Sequence, residues 1–337
     1  HRDLHSFPTR CSSDLLIGGM FSFYNAGSAT NFSNHAYKMG PMHYGVLERG
    51  TKTASGAYLL MPANIGSFSV CFGKLMYHPD TRDLPFSYLI AYSDTMYLVP
   101  GRNFATVGLY RDIRKWPKRD KRYKTDRKSI VNFDWLSPYT ISEVLRGKRI
   151  LENLRDTCGD NVSTYNYHEY VIKAPLLRKG IRFYDLALRI YMGAVLKRHN
   201  IEVPKTDVGL GRWIDLAGLL LPESEEQRLR QDLIEGRIND IKEMIARFKE
   251  IDKNYTEYRW AWTYQMILNY YGLETLTPEA VERVHLDYVA ARREWIDEIK
   301  RDAEKEFSLG DVEHDVLDEF ISQLDREVDF ENTKLYM

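Results

Sequence analysis

The chain contains little cysteine: Cys11, Cys71 and Cys158 are the only three in 337 residues. Three unclustered cysteines indicate neither a disulfide framework nor a zinc site. No segment approaches the ~18 consecutive apolar residues of a membrane-spanning helix. Lys and Arg number 47 against 48 Asp and Glu, so the overall charge selects no partner. These absences argue against disulfide-rich and helical membrane proteins and favour a cytoplasmic location.

The chain also lacks the short motifs that identify common enzyme sites. It has no Gly-rich phosphate loop and no metal-binding spacing such as HExxH or CxxC. Gly209 and Gly211 lie two positions apart, but neither a third glycine nor a preceding strand completes a dinucleotide fingerprint. The sequence therefore predicts no metal site and no dinucleotide-binding fold.

A six-residue period runs from Leu47 to Leu75. The segments read LERGTK, TASGAY, LLMPAN, IGSFSV and CFGKLM. Their lead positions are Leu47, Thr53, Leu59, Ile65 and Cys71. Hexapeptide repeats are typical of a left-handed parallel β-helix, where the lead residue fills the interior and a small fifth residue lets the chain turn. The period weakens upstream but keeps its phase back to Ile17, so the pattern predicts a truncated left-handed parallel β-helix that the chain enters in mid-coil.

Residues 1–15 differ from the rest of the chain. They read HRDLHSFPTRCSSDL, which lacks the apolar core and the cleavage site of a signal peptide. This segment closely resembles the translation of a sequencing adapter, and we interpret it as an assembly artefact. A genuine polar extension is the alternative interpretation.

The remaining chain divides into three expected regions. Residues 16–101 form the end of the β-helix and a capping hairpin, because YLIAYSDTMYLVPG reads as two strands about a turn at Ser93 and Asp94. Residues 102–136 form a helix and a basic connector, and residues 137–337 form an α-helical domain. The predicted fold is therefore a β-solenoid followed by α-helices.

Helical periodicity and capping residues support the assignment of the C-terminal region. Apolar residues recur every three or four positions in KGIRFYDLALRIYMGAVLKRH and in EEQRLRQDLIEGRINDIKEMIARFKE. Ser224 and Gln227 have the spacing of a capping box. Gly272 is placed to end one helix, and Thr277 followed by Pro278 is placed to begin the next.

A basic run extends over residues 111–128, with ten Lys or Arg and three Asp. It supports three interpretations. The run forms ion pairs with the acidic helices that follow, within the chain or between subunits; it binds a small anion; or it binds nucleic acid, with Trp116 and Tyr123 as stacking surfaces. The sequence favours the first interpretation and argues against the third, because no nucleic-acid-binding module is visible.

Several long segments carry a resemblance to a known family. They are NHAYKMGPMHYGVLERGTKTASGAYLLMPANIGSFSV, YHPDTRDLPFSYLI, RKWPKRDKR, LSPYTI, KGIRFY and GRWIDLAGLL. Through these segments the chain resembles an uncharacterised bacterial family of unknown function. The resemblance covers residues 16–337 and is to the C-terminal half of the longer members of that family. The resemblance implies a β-helix similar to that of the trimeric hexapeptide acyltransferase superfamily, and hence a homotrimer with sites between subunits. It implies no particular reaction.

Three histidines near the repeat are candidates for a general base: His35, His43 and His78. In hexapeptide acyltransferases a histidine on a coil commonly accepts a proton from a sugar hydroxyl or amine, and an imidazole with a pKa near 6.5 suits this role. Asp80 and Asp83 are placed to orient the imidazole of His78. A purely structural role is the alternative for each histidine.

Six basic residues are candidates for holding the phosphate of a substrate, since guanidinium and ammonium groups bind phosphate well. They are Lys38, Arg49, Lys52, Arg82, Lys115 and Arg119. The sequence thus predicts an acyl- or nucleotidyl-type transferase acting on a nucleotide-linked or phosphorylated sugar, with acyl-coenzyme A or a nucleotide sugar as co-substrate. The alternative is a non-enzymatic oligomerising scaffold whose helical domain binds a protein partner.

Overall fold

The computed structural model describes residues 16–33, 42–122, 128–199, 201–310 and 314–333. These residues form two compact units. The sheet unit runs to Asn103 and also contains Arg149–Gly180, and the helical unit contains Phe104–Lys148 and the residues from Ile181 onward.

The sheet unit is built from short strands. They are β1 Leu16–Phe21, β2 Asn31–Ser33, β3 Met42–Leu47, β4 Lys52–Thr53, β5 Tyr58–Leu60, β6 Asn64–Ile65, β7 Val70–Phe72, β8 Lys74–Leu75, β9 Tyr88–Tyr92, β10 Thr95–Val99, β11 Thr164–Tyr167 and β12 Tyr170–Lys173. Strands β1, β3 and β6 form one parallel sheet, and β2, β5 and β8 form another. A third sheet has the order β11-β12-β10-β9-β7-β4 and mixes parallel with antiparallel pairs.

The predicted left-handed β-helix is wrong. The parallel strands are short and belong to separate sheets. The spacing between paired strands also varies along the chain: Val46 pairs with Asn64, Tyr58 with Lys74, and Leu16 with Met42. A six-residue period reports which side chains are apolar or small, but it does not set the register between strands, which depends on pairing with distant segments.

The lead positions of the period are nevertheless core residues. Leu47, Leu59, Ile65 and Cys71 are buried, and burial raises the pKa of the Cys71 thiol to about 12. The hairpin predicted about Ser93 and Asp94 is present as β9 and β10. It extends the third sheet, because β9 pairs with β7 and β10 pairs with β12, and it does not cap a solenoid.

The helical unit contains most of the helical residues. The described helices are α1 Val107–Arg119, α2 Pro138–Cys158, α3 Ala174–His199, α4 Glu223–Ile234, α5 Ile241–Lys253, α6 Tyr255–Tyr271, α7 Pro278–Leu309 and α8 His314–Thr333. A short antiparallel hairpin, β13 Trp213–Leu216 with β14 Leu219–Pro222, precedes α4. No helix in the described ranges combines the length and the apolar character needed to cross a bilayer.

Two contacts determine where α1 begins. The Thr106 hydroxyl accepts a hydrogen bond from the Leu109 amide at 3.2 Å, and the buried carboxylate of Asp302 accepts one from the Val107 amide at 2.9 Å. Both contacts satisfy amides that the first turn of a helix leaves free. Because Asp302 lies on α7, this cap also fixes the start of α1 against α7.

An aromatic cluster forms part of the core of the helical unit. The Trp295 ring lies 5.7 Å from the Trp135 ring and 5.9 Å from the Phe104 ring, measured between centroids. The indole N–H of Trp295 donates to the Phe104 carbonyl at 2.8 Å, so its one polar atom is satisfied in the interior. This cluster fixes α7 against the segment that leads into α2.

Candidate functional site: an arginine-lined cavity

The structure describes only part of the predicted histidine cluster. His35 and Lys38 fall in the range 34–41, which is not described. The backbone of His43 lies on β3 and pairs with Ile17, but its side chain is not described. His78 is exposed on the loop between β8 and β9. The general-base role of these histidines therefore stays a prediction.

Arg49 and Arg82 occupy different environments in the sheet unit. Arg49 is completely buried, with its guanidinium 5.1 Å from the centre of the Phe23 ring. It would reach a dissolved phosphate only if this packing changed. Arg82 is exposed, donates to the Asn64 side chain at 2.9 Å and lies 3.6 Å from the Glu48 carboxylate.

The other predicted phosphate-binding residues are more accessible. Lys52 is half-buried on β4. Lys115 lines a groove beside α1, whereas Arg119 is exposed at the end of the same helix. Among the described residues, no group of three or more His, Cys, Asp or Glu side chains is arranged to hold a metal ion.

A cavity inside the helical unit brings together groups that the sequence did not single out. Its volume is about 210 Å³. Three arginines, one aspartate and three aromatic rings dominate its walls. They are Arg198, Arg259, Arg292, Asp134, Trp135, Tyr191 and Tyr288. With three guanidinium groups and one carboxylate, these side chains carry a net charge of +2. We call this the Asp134–Arg259 cavity.

Four separate elements contribute the charged groups. Asp134 lies just before α2, Arg198 near the end of α3, Arg259 on α6 and Arg292 on α7. Arg259 faces inward within an otherwise aromatic and apolar stretch of α6, and only 8% of it is exposed. Its position in the string YRWAW was the one signal in the sequence that could have identified the site.

Asp134 anchors Arg259. The Nη1 of Arg259 and the phenol of Tyr255 both donate to Oδ2 of Asp134, the phenol at 2.7 Å. Burial alone would lower the pKa of Arg259, but the Asp134 carboxylate raises it above the ordinary value, so the guanidinium stays charged. The Nε of Arg259 has no hydrogen-bond partner among the described residues. The buried guanidinium is therefore held in place by Asp134, while its Nε–H is still available to donate a hydrogen bond to a ligand.

The other two arginines differ in accessibility. Arg292 lies 5.0 Å above the Trp295 ring, and its Nη2 is 3.8 Å from the Glu327 carboxylate. Arg198 is exposed and forms no ion pair with any residue in the described ranges. Arg259 therefore offers a guanidinium to an anion deep in the cavity. Arg198 offers a second guanidinium at the side that faces solvent.

The chain thus consists of a unit of short sheets and a mainly helical unit that contains a cationic cavity. Residues 7–155 match the family model described as Domain of unknown function (DUF4954), and residues 197–334 match Domain of unknown function (DUF6819). Neither match is to a hexapeptide-repeat or acyltransferase family. No curated protein and no solved structure matches the chain. The cavity combines both matched segments, since Asp134 lies in the first and Arg259 in the second.

A histidine beside the cavity is held in its neutral form. His199 stacks on Trp260 with a centroid distance of 4.5 Å and an interplanar angle of 5°. Burial lowers its pKa below the ordinary value of 6.5. The nearby charged groups are Glu257, Arg259, Glu202 and Arg198. The two arginines lower the pKa of His199 further, and the two glutamates oppose them.

We expect stability to fall in acid because of this histidine. The unfolded chain takes up the proton near pH 6.5, and the folded chain resists it to a lower pH. The contribution of neutral His199 to the free energy of unfolding is therefore fully present above pH 6.5. It is lost as the pH falls through the pKa that His199 has in the folded protein. Urea unfolding from pH 8 to pH 5 measures this loss. His199→Gln should reduce the dependence of the free energy of unfolding on pH, and the control His78→Gln should not. The same pH dependence in the wild type and both variants would show that His199 is not the group responsible.

Proposed function

We propose that the helical unit binds a small phosphorylated ligand in the Asp134–Arg259 cavity. The observation that carries the proposal is the buried Arg259 guanidinium, whose Nε lacks a partner among the described residues in a cavity lined by two further arginines. The planar fork of arginine matches two phosphate oxygens, and a charge-assisted hydrogen bond is stronger than one between neutral groups.

The size of the cavity limits the ligand. Its volume of about 210 Å³ lies below the roughly 300–1,000 Å³ of pockets that enclose drug-sized molecules. A phosphate group or a sugar monophosphate therefore fits better than an entire nucleotide sugar. The rings of Trp135, Tyr191 and Tyr288 offer flat apolar surfaces against which a sugar ring can pack.

A phosphorylated sugar is also the substrate class of the transferase that the sequence predicts. The transfer step itself, with His35, His43 or His78 as general base, stays a proposal that mutation of each histidine would test. The scaffold alternative also stays open, and so does the predicted homotrimer. Ligand binding without turnover in a stable oligomer would favour the scaffold.

Isothermal titration of the full chain tests the binding proposal. The titrants are inorganic phosphate, glucose 1-phosphate, glucose 6-phosphate and uncharged glucose, each at the same ionic strength. We expect 1:1 binding of at least one sugar phosphate, tighter than that of phosphate, and no binding of glucose. Absence of heat and of thermal stabilisation with every phosphorylated titrant would reject the proposal.

A further inference from the structure

A second cavity lies between three helices of the helical unit. Its volume is about 420 Å³. Helix α1 forms one wall, and the end of α7 with the first turns of α8 forms the other. The apolar lining residues are Val107, Phe307, Val316 and Phe320, and the cationic ones are Arg111, Arg114 and Lys115. We call this the α1–α8 groove.

The three cations share one face of α1, because positions separated by three and four residues lie together on a helix. Arg114 is engaged: its Nη2 donates to Glu327, and its guanidinium lies 3.5 Å from the centre of the Tyr110 ring. Arg111 and Lys115 form no hydrogen bond or ion pair with any described residue. Glu319 is the carboxylate among the lining residues, so the lining carries a net positive charge.

The opposite wall is aromatic and apolar. Phe320 stacks on Phe307 with centroids 6.0 Å apart and meets the Tyr110 ring edge-on at 5.7 Å. Val316 is 46% exposed although it lines the groove. The groove therefore has an apolar floor beside two cations, Arg111 and Lys115, that form no ion pair with a described residue. In the Asp134–Arg259 cavity, by contrast, the most deeply buried arginine, Arg259, is held by the Asp134 carboxylate.

We infer that the α1–α8 groove binds a single-chain fatty acid, with the hydrocarbon tail against Phe307, Val316 and Phe320 and the carboxylate at Arg111 and Lys115. The volume lies within the range of pockets that enclose a small organic ligand. Apolar walls with a few polar groups at one side suit an amphiphile, whereas a free phosphate would leave the aromatic floor uncovered. Charge complementarity selects an anionic head group over a neutral one.

Isothermal titration of the full chain with saturated fatty acids of eight to sixteen carbons, below their micelle concentrations, tests the inference. We expect 1:1 binding that tightens by about fourfold for each added CH₂ until the groove is filled. Methyl laurate keeps the tail of laurate but loses the charge, and it should bind about tenfold more weakly or worse.

Matched variants separate the head-group contact from the tail contact. Arg111→Gln with Lys115→Gln should weaken laurate by about tenfold or more and leave methyl laurate unchanged. The control pair Lys118→Gln with Lys121→Gln removes the same charge from exposed positions outside the lining and should leave laurate affinity unchanged. Val316→Asp, at a partly exposed position, should weaken binding of both ligands.

Three outcomes would overturn the inference. Equal affinity for laurate and methyl laurate would show nonspecific adsorption to an apolar face. An equal loss of laurate affinity in the two double variants would show that binding depends only on the net charge of the protein. Displacement of laurate by an acidic amphipathic peptide, combined with affinity that does not depend on chain length, would assign the groove to a protein partner.

Discussion

Replacing Arg259 by lysine is expected to weaken sugar phosphate binding by roughly 10- to 100-fold, the effect of losing a charge-assisted hydrogen bond of about 1.5–3 kcal/mol. Lysine keeps the positive charge beside Asp134, so the half-buried carboxylate retains a cationic neighbour. It loses the planar fork that matches two phosphate oxygens. Titration calorimetry with the tightest sugar phosphate measures the change, and circular dichroism checks the fold.

The partner substitution should act in the opposite direction. Asp134→Asn keeps an oxygen that can accept the Tyr255 hydrogen bond, but it removes the negative charge that competes with a bound phosphate. We expect sugar phosphate affinity to rise by roughly tenfold, because removal of a nearby like charge favours the anion. Opposite signs for the two variants would distinguish a bound phosphate from a general loss of structure.

A surface arginine provides the matched control for this pair. Arg230 is 71% exposed and forms an ion pair with Glu226 on the same helix. Arg230→Gln removes one cation from the helical unit, and exposed pairs of this kind contribute only about 0–1 kcal/mol to stability. Its sugar phosphate affinity should equal that of the wild type. A native-like Arg259→Lys variant with unchanged affinity would place the phosphate elsewhere.

Gly193→Ala is expected to destabilise the helical unit by about 3 kcal/mol, the upper part of the range for overpacking a core. Gly193 is buried on α3, where an added Cβ would overlap the Cβ of Tyr288 and lie 2.5 Å from its Cγ. Tyr288 is itself buried and lines the Asp134–Arg259 cavity, so it has little room to move. Urea unfolding followed by tryptophan fluorescence measures the loss.

Gly108→Ala is the matched control, with an effect of opposite sign. Gly108 is exposed on α1, and its added Cβ would meet only the Thr106 hydroxyl, at 3.7 Å. Alanine favours a helix over glycine by up to about 1 kcal/mol, so this variant should be slightly more stable than the wild type. Wild-type stability in Gly193→Ala would mean that α3 and α7 can separate without cost, contrary to the packing described above.

The sequence predicted local features well where neighbouring residues alone determine them. Gly272 ends α6 in a left-handed conformation with a φ of 65°, as predicted from its position. Thr277 caps α7, accepting a hydrogen bond from the Ala280 amide at 3.2 Å, with Pro278 as the first helical residue. Both predictions are confirmed. Each depends on the conformational preference of one residue and on a partner within five positions.

The predicted capping box at Ser224 and Gln227 is wrong, and the reason is tertiary. Helix α4 begins at Glu223, directly after strand β14 ends at Pro222. Ser224 is therefore already inside the helix, and its hydroxyl donates to the Val208 carbonyl at 3.1 Å. The hairpin that precedes α4 makes Pro222 the N-cap, so the helix starts two positions too early for Ser224 to act as the cap.

By itself, the sequence determined the helix ends at Gly272 and Thr277, the hairpin turn, and the burial of the lead residues in the six-residue period. These properties follow from conformational preference and hydrophobicity, which act over a few residues. Only the tertiary structure decided how the short strands pair and which charges meet. Strand register and the junction of Asp134 with Arg259 depend on segments that are distant in the chain, and a local pattern carries no information about such partners.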